Sequence, residues 1–118
     1  MNSKVANIDL SRFNTSKVTS MENMFRDTLF TTLNLSSFDT SKVTDMSSMF
    51  SSCKNLTTIY ASNKFITDNV TNSTSMFSGD NKLIGGASTI YDANHIDKTY
   101  ARIDGGTSSP GYFTLKTN

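Results

Sequence analysis

The chain reads as an α/β repeat solenoid, and three observations carry that reading. The segment SRFNTSKVTSMENMF at residues 11–25 returns as SSFDTSKVTDMSSMF at residues 36–50. Phe13, Val18, Met21, Met24 and Phe25 precede Phe38, Val43, Met46, Met49 and Phe50 by one constant interval. A third copy places Phe65, Val70, Met76 and Phe77 beyond Phe38, Val43, Met49 and Phe50 by an interval that is again constant and slightly longer. A strict period means that each unit leaves its apolar edge for the next unit to cover, which stacks coils around one narrow core.

Each coil divides into three parts. Ile8 and Leu10, Leu33 and Leu35, Ile59 and Ala61 stand two apart, the alternation of a short strand with one face inward. Successive coils joined by parallel pairing of such strands lie about 4.8 Å apart. The β-branched pairs Val18-Thr19, Val43-Thr44 and Val70-Thr71 predict a second short strand per coil. In MENMF, MSSMF and STSMF the apolar residues lie three and four apart, which suits one turn of α or 3₁₀ helix. So short a helix persists only if Met24, Met49 and Met76, with Phe25, Phe50 and Phe77, stack in columns from coil to coil.

Residues 1–84 are therefore expected to hold three repeats and the start of a fourth, since Leu83 follows Phe77 by six as Leu56 follows Phe50. Residues 85–118 abandon the pattern and are expected to form a C-terminal cap. Residues 101–103 and 112–115 read as the two strands of a β-hairpin, joined by the Gly-, Ser- and Pro-rich turn at residues 104–111. A solenoid needs an atypical end unit of this kind to cover its last apolar layer.

Composition fits a narrow core. The 118 residues suffice for one domain of about four coils, and a hydrophobic fraction of 36% is low for a globule. Roughly two residues in five are Ser, Thr or Asn, a content that favours disorder unless the few apolar residues recur in phase, as they do here. The net charge of +1 and the pI near 7.8 leave no basic stripe, which argues against nucleic acid or an anionic membrane as partner. No apolar run reaches the length of a membrane span, and MNSKVANIDL has no apolar stretch of the signal-peptide kind, so the expectation is that these residues do not direct export by themselves. Val5, Ile8, Leu10 and Phe13 belong to a first coil with nothing ahead of it. The expectation is either a fragment of a longer protein or a homodimer paired through that end.

The pattern in LNLSSFDTSKVTDMSSMFSSC at residues 33–53, with its Val-Thr-x-Met-x-x-Met-Phe core, resembles the BspA-like bacterial surface proteins, a divergent branch of the leucine-rich repeats. The resemblance spans roughly residues 8–83, and the closing GGTSSPGYFT is similar to the ends of such arrays. It implies right-handed leucine-rich-repeat-like coils and display at the cell surface or secretion. It also implies a role as an adhesin or binder of host macromolecules, and it does not imply a catalytic activity.

No chemistry-bearing constellation competes with that reading. His95, the only histidine, lies near Asp92 and Asp97 and could form an acid/base pair on paper, but no nucleophile is placed by spacing. Cys53 is the only cysteine, so neither a disulfide nor a thiolate metal site can be assembled within the chain. Its register mates Thr28 and Asp80 are polar and suggest a position at the coil edge. Calcium motifs of the GGxGxD or EF-hand type are absent, and GGTSSPG lacks the Gly-Lys-Ser/Thr of a phosphate loop. The sequon at Asn14 reads as a turn. The expectation is no cofactor, no metal and no enzyme activity.

Two functions remain open. In one, the chain is a recognition module for a protein or glycan on host or neighbouring bacterial cells. Its contacts are then Asp9, Asn34 and Tyr60, each between two inward positions, and the column Thr19, Thr44 and Thr71. Tyr60 is the best anchor, since an exposed Tyr gives contact area at small entropic cost. Packing of Tyr60 on Phe65 or the cap is the competing reading. In the other function the array is a spacer that stacks end to end through Val5, Ile8, Leu10 and Phe13.

Overall fold

The computed structural model describes Leu10 and residues 12–116. Three parallel strands form one sheet in sequence order: β1 (Thr32–Leu35), β2 (Thr58–Ala61) and β3 (Phe113–Leu115). The arrangement, with no long helix among the described residues, is consistent with an α/β repeat-like fold. In register, Leu33 pairs with Ile59 and Leu35 with Ala61, and all four side chains are fully buried. Their neighbours Thr32, Asn34, Thr58 and Tyr60 are half-buried on the opposite face, so the alternation in the sequence separates core from surface.

The expected second strand is narrower than a strand. It consists of single parallel bridges, Ser20 to Asp45 and Asp45 to Asn72, one residue beyond each Val-Thr pair. The Thr44 amide donates to the Thr19 carbonyl at 2.8 Å and the Thr71 amide to the Thr44 carbonyl at 2.9 Å, which ties the copies together here too.

The predicted one-turn helices are not formed. Residues 21–28 are a run of tight turns, in which the amides of Met24, Arg26 and Thr28 donate to the carbonyls three residues back. Asn23 and Asp27 take left-handed backbone angles, as do Ser48 and Ser52 in the second copy and Ser75 and Gly79 in the third. Such angles cost a non-glycine residue roughly 1–2 kcal/mol. They also free alternate amides for the neighbouring layer. Met21, Asn23, Phe25 and Asp27 donate to the carbonyls of Asp45, Ser47, Met49 and Ser51 at 2.8–3.0 Å. Met46, Ser48, Phe50 and Ser52 donate in the same way to Asn72, Thr74, Met76 and Ser78 at 2.7–2.9 Å. A helix would keep these amides for its own carbonyls, so the interlayer bonds are the reason the Met-x-x-Met-Phe segment does not coil.

The aromatic columns form as the period predicts. The Phe25 and Phe50 rings stack at 5.7 Å and those of Phe50 and Phe77 at 5.3 Å, tilted by under 10° in both pairs. Phe13 and Phe38 make a looser stack at 6.5 Å. Phe65 leaves that second column and meets Phe113 edge-on at 4.8 Å. The insertion that lengthens the third repeat falls ahead of Phe65, and β3 arrives beside it.

The C-terminal hairpin is also corrected. Ile103 bridges Phe113 in parallel, and β3 pairs in parallel with β2, Ile59 to Phe113 and Ala61 to Leu115. The edge of β2 offers unpaired backbone groups that a parallel strand satisfies, and β3 takes the place of a fourth repeat strand. Tyr112 is fully buried and wedges edge-on against Phe77 at 4.9 Å, closing the aromatic column. Asp104 organises the return loop. One carboxylate oxygen accepts from the amides of Ala87 and Thr89, the other from the Thr89 hydroxyl and the amides of Gly106 and Gly111. Gly85 is required there, because a Cβ would run into the Gly111 carbonyl and the Asp104 carboxylate.

Candidate recognition face

The outward face of the sheet carries one column, Asn34, Tyr60 and Thr114, held in register by the strand pairing. All three are half-buried. The Asn34 side-chain oxygen accepts from the Ser36 amide at 3.0 Å, which fixes the turn leaving β1. Lys116 places its ammonium 5.5 Å from the centre of the Tyr60 ring. This cation–π contact orients the ring without burying it. Tyr60 therefore meets Lys116, just beyond β3, while Phe65 turns to Phe113. Asp9 lies outside the described residues.

Thr114 and Lys116 were missed from sequence. Their signal is the alternation in YFTLK, which puts Thr114 on the face opposite the buried Phe113, although Leu115 beyond it is 49% exposed; it locates them beside Tyr60 only once parallel docking on β2 is known.

Thr19, Thr44 and Thr71 form the second expected column, and all three are exposed. Their hydroxyls are partly committed. Thr44 Oγ1 donates to the Thr19 carbonyl at 3.2 Å and Thr71 Oγ1 to the Thr44 carbonyl at 3.3 Å, leaving acceptor capacity outward. The threonines belong to the bridge ladder and the tyrosine column to the sheet.

Of the residues assigned to an end-to-end contact, Val5 and Ile8 lie outside the described residues. Leu10 is 3% exposed and sits inside the core, and Phe13 is 50% exposed. Met21 and Phe25, the first members of their columns, are buried as well. At this end Leu10, Met21 and Phe25 are covered, while Phe13 and Leu29 are each 50% exposed.

The histidine is paired with an aromatic ring. His95 stacks on Tyr100 at 4.3 Å, with Nε2 3.8 Å from the Asp92 carboxylate. The Tyr112 hydroxyl accepts from the Asp92 amide and donates to the His95 carbonyl, so this loop is held by Tyr112. Among the described residues, no group of three or more His, Cys, Asp and Glu could hold a metal ion. Among the same residues no helix is long and apolar enough to cross a membrane.

Cys53 is not at a coil edge but fully buried. Its thiol donates to the Phe25 carbonyl at 3.2 Å and lies 3.5 Å from the Thr28 hydroxyl. Burial pushes the thiol pKa up to about 11, which removes thiolate reactivity at neutral pH. The register mate Asp80 is buried too, and one of its oxygens accepts from the Cys53 amide at 2.9 Å while the other has no partner. The polar side chains at this position turn inward to satisfy backbone groups, which is why polarity misplaced it.

Burial raises the Asp80 pKa from its ordinary 3.8 to about 8, against the opposing effect of the Cys53 amide bond. Between these pH values the unfolded chain has lost the proton that the folded chain keeps. Stability conferred below pH 4 therefore falls as pH rises toward 8, with a slope of at most about 1.4 kcal/mol per pH unit. Asp80→Asn keeps the acceptor for Cys53 and removes the titration. Urea midpoints at pH 5 and pH 8 should differ in the parent and converge in the variant; the same difference in both would contradict a buried neutral Asp80.

A family model described as "Mycoplasma protein of unknown function, DUF285" matches residues 1–104. No curated protein and no solved structure matches the chain.

Proposed function

The chain belongs to the DUF285 family of Mycoplasma proteins of unknown function, and we propose that it is a non-catalytic recognition module that binds a protein or glycan on host or neighbouring cells. The observation that supports this reading is the column Asn34, Tyr60 and Thr114 with Lys116 over the ring. It combines a rigid amphipathic anchor, a primary amide, a hydroxyl and one cation on a backbone locked by parallel pairing. A preorganised surface of this composition loses little side-chain entropy on binding. The likeness of the repeat to BspA-like surface proteins supports display at the cell surface and the adhesin role. The stacked copies support a right-handed solenoid of leucine-rich-repeat type.

The test is an array of glycans and host surface proteins probed with the parent and with Tyr60→Ala and Asn34→Ala. Tyr60→Ala is expected to cost about 2 kcal/mol or more of binding energy, the level of an aromatic hot spot. Binding that survives both substitutions unchanged would place recognition on another face.

A further inference from the structure

The Tyr60 face changes chemistry at its C-terminal edge. Leu83 and Gly85 are buried while Ile84 and Gly86 are exposed, the alternation of a strand. The Ile84 amide donates to the Thr57 carbonyl at 2.9 Å, as the Thr57 amide does to the Thr31 carbonyl, so Ile84 takes in the third copy the place that Thr57 holds in the second. The Thr57 hydroxyl lies 3.4 Å from that of Thr58, which shares its side of β2 with Tyr60. Gly86 packs on Thr114, since a Cβ there would stand 3.2 Å from the Thr114 side chain. Ile90 returns antiparallel to Ile84. Where the second copy has a hydroxyl, the third thus presents two aliphatic side chains, Ile84 at 46% exposure and Ile90 at 69%. The pair is held in place, because the Asp104 carboxylate accepts from the amides of Ala87 and Thr89 between them.

We propose, resting on the recognition role of the Tyr60 column, that Ile84 and Ile90 extend this column into a site for an acidic protein segment, with an apolar side chain set on the isoleucines and a carboxylate on Lys116. Branched aliphatic side chains offer a glycan neither a hydrogen bond nor a flat ring, and they would strip water from sugar hydroxyls without replacing its bonds. Against an apolar protein side chain the same surface becomes the dry centre of a contact with a polar rim. Charge fixes the remainder. Within residues 57–62, 84–90 and 112–116 Lys116 is the one charged side chain, and its ammonium lies over the Tyr60 ring. The complement of a cation on an otherwise neutral surface is an acid. From Thr57 to Tyr60 is about 10 Å of strand, which spaces the partner's two groups about three or four extended residues apart.

The test pans a phage-displayed library of random peptides on the full chain and measures the recovered sequence as a free synthetic peptide by fluorescence anisotropy. That sequence should pair an apolar residue with Asp or Glu at about the spacing given above. Ile90→Ser and Lys116→Glu should each weaken binding at least about tenfold with the unfolding temperature unchanged, and Lys in place of the peptide's acid should restore binding to the Lys116→Glu chain. Peptides that need Tyr60 but bind both variants as tightly as the parent overturn the proposal and leave the Tyr60 column as the recognition face. So does Tyr60-dependent binding to immobilised glycans with no peptide recovered. Peptides that bind Tyr60→Ala as they bind the parent remove the column and its extension together.

Discussion

Phe50→Ala is expected to destabilise the fold by about 3–5 kcal/mol, the cost of emptying a fully packed aromatic site. Phe50 is fully buried, stacks on Phe25 and Phe77 at 5.7 and 5.3 Å, and meets Phe113 edge-on at 6.4 Å. The void therefore opens where the three sequence copies meet β3. A loss of this size is a large part of the roughly 5–15 kcal/mol available to a small domain. Phe13→Ala is the internal control, since Phe13 is 50% exposed and touches one ring at 6.5 Å. Urea unfolding of both variants should separate them clearly, and equal losses would mean that the columns do not bear the stability assigned to them.

Asp104→Ala carries the second large effect. The carboxylate holds five donors from Ala87, Thr89, Gly106 and Gly111, and no other residue is placed to accept from them all. Each hydrogen bond to a charged group is worth about 1.5–3 kcal/mol, so a loss of at least about 3 kcal/mol is expected even if water relieves most of the donors. Asp104→Asn should be no rescue, because its NH₂ would face donors on one side. Burial works to raise the Asp104 pKa, but the bonds from Thr89, Gly106 and Ala87 outweigh it and hold the group at about 2. A depressed pKa gives stability that is complete above the ordinary 3.8 and is lost as pH falls through 2. Acid unfolding between pH 4 and 2 should therefore be shallower in the Ala variant; an unchanged acid limb would remove Asp104 from its place as fastener. With Asp80 acting in the opposite sense above pH 4, the parent is expected to be most stable near pH 4.

The columns were legible because a near-constant period repeats the same neighbours, so Phe25, Phe50 and Phe77 had only one arrangement that buries them all. The sheet face was legible for the same reason: Asn34 and Tyr60 sit between inward pairs, and strand alternation decides their side. What failed was local chemistry with two solutions. Three-and-four spacing in Met-x-x-Met-Phe serves a helix and a run of turns equally well, and the signal that separates them is the Asn, Asp, Ser or Gly at positions 23, 27, 48, 52, 75 and 79. The strands around Ile103 and Phe113 were visible, but a flexible connection between them does not say whether the second returns antiparallel or docks in parallel on β2. That choice is made by the open edge of β2, a tertiary fact. Thr114 and Lys116 were overlooked as a result. Cys53 and Asp80 were misplaced because inward polar groups that bond to backbone look, in sequence, like surface residues.

Ring-to-ring nuclear Overhauser contacts between selectively labelled phenylalanines test the stacked interior most directly. The layered arrangement predicts contacts from Phe25 to Phe50 and from Phe50 to Phe77, with none from Phe25 to Phe77. Phe50 contacts to neither ring, or direct contact between Phe25 and Phe77, would contradict it.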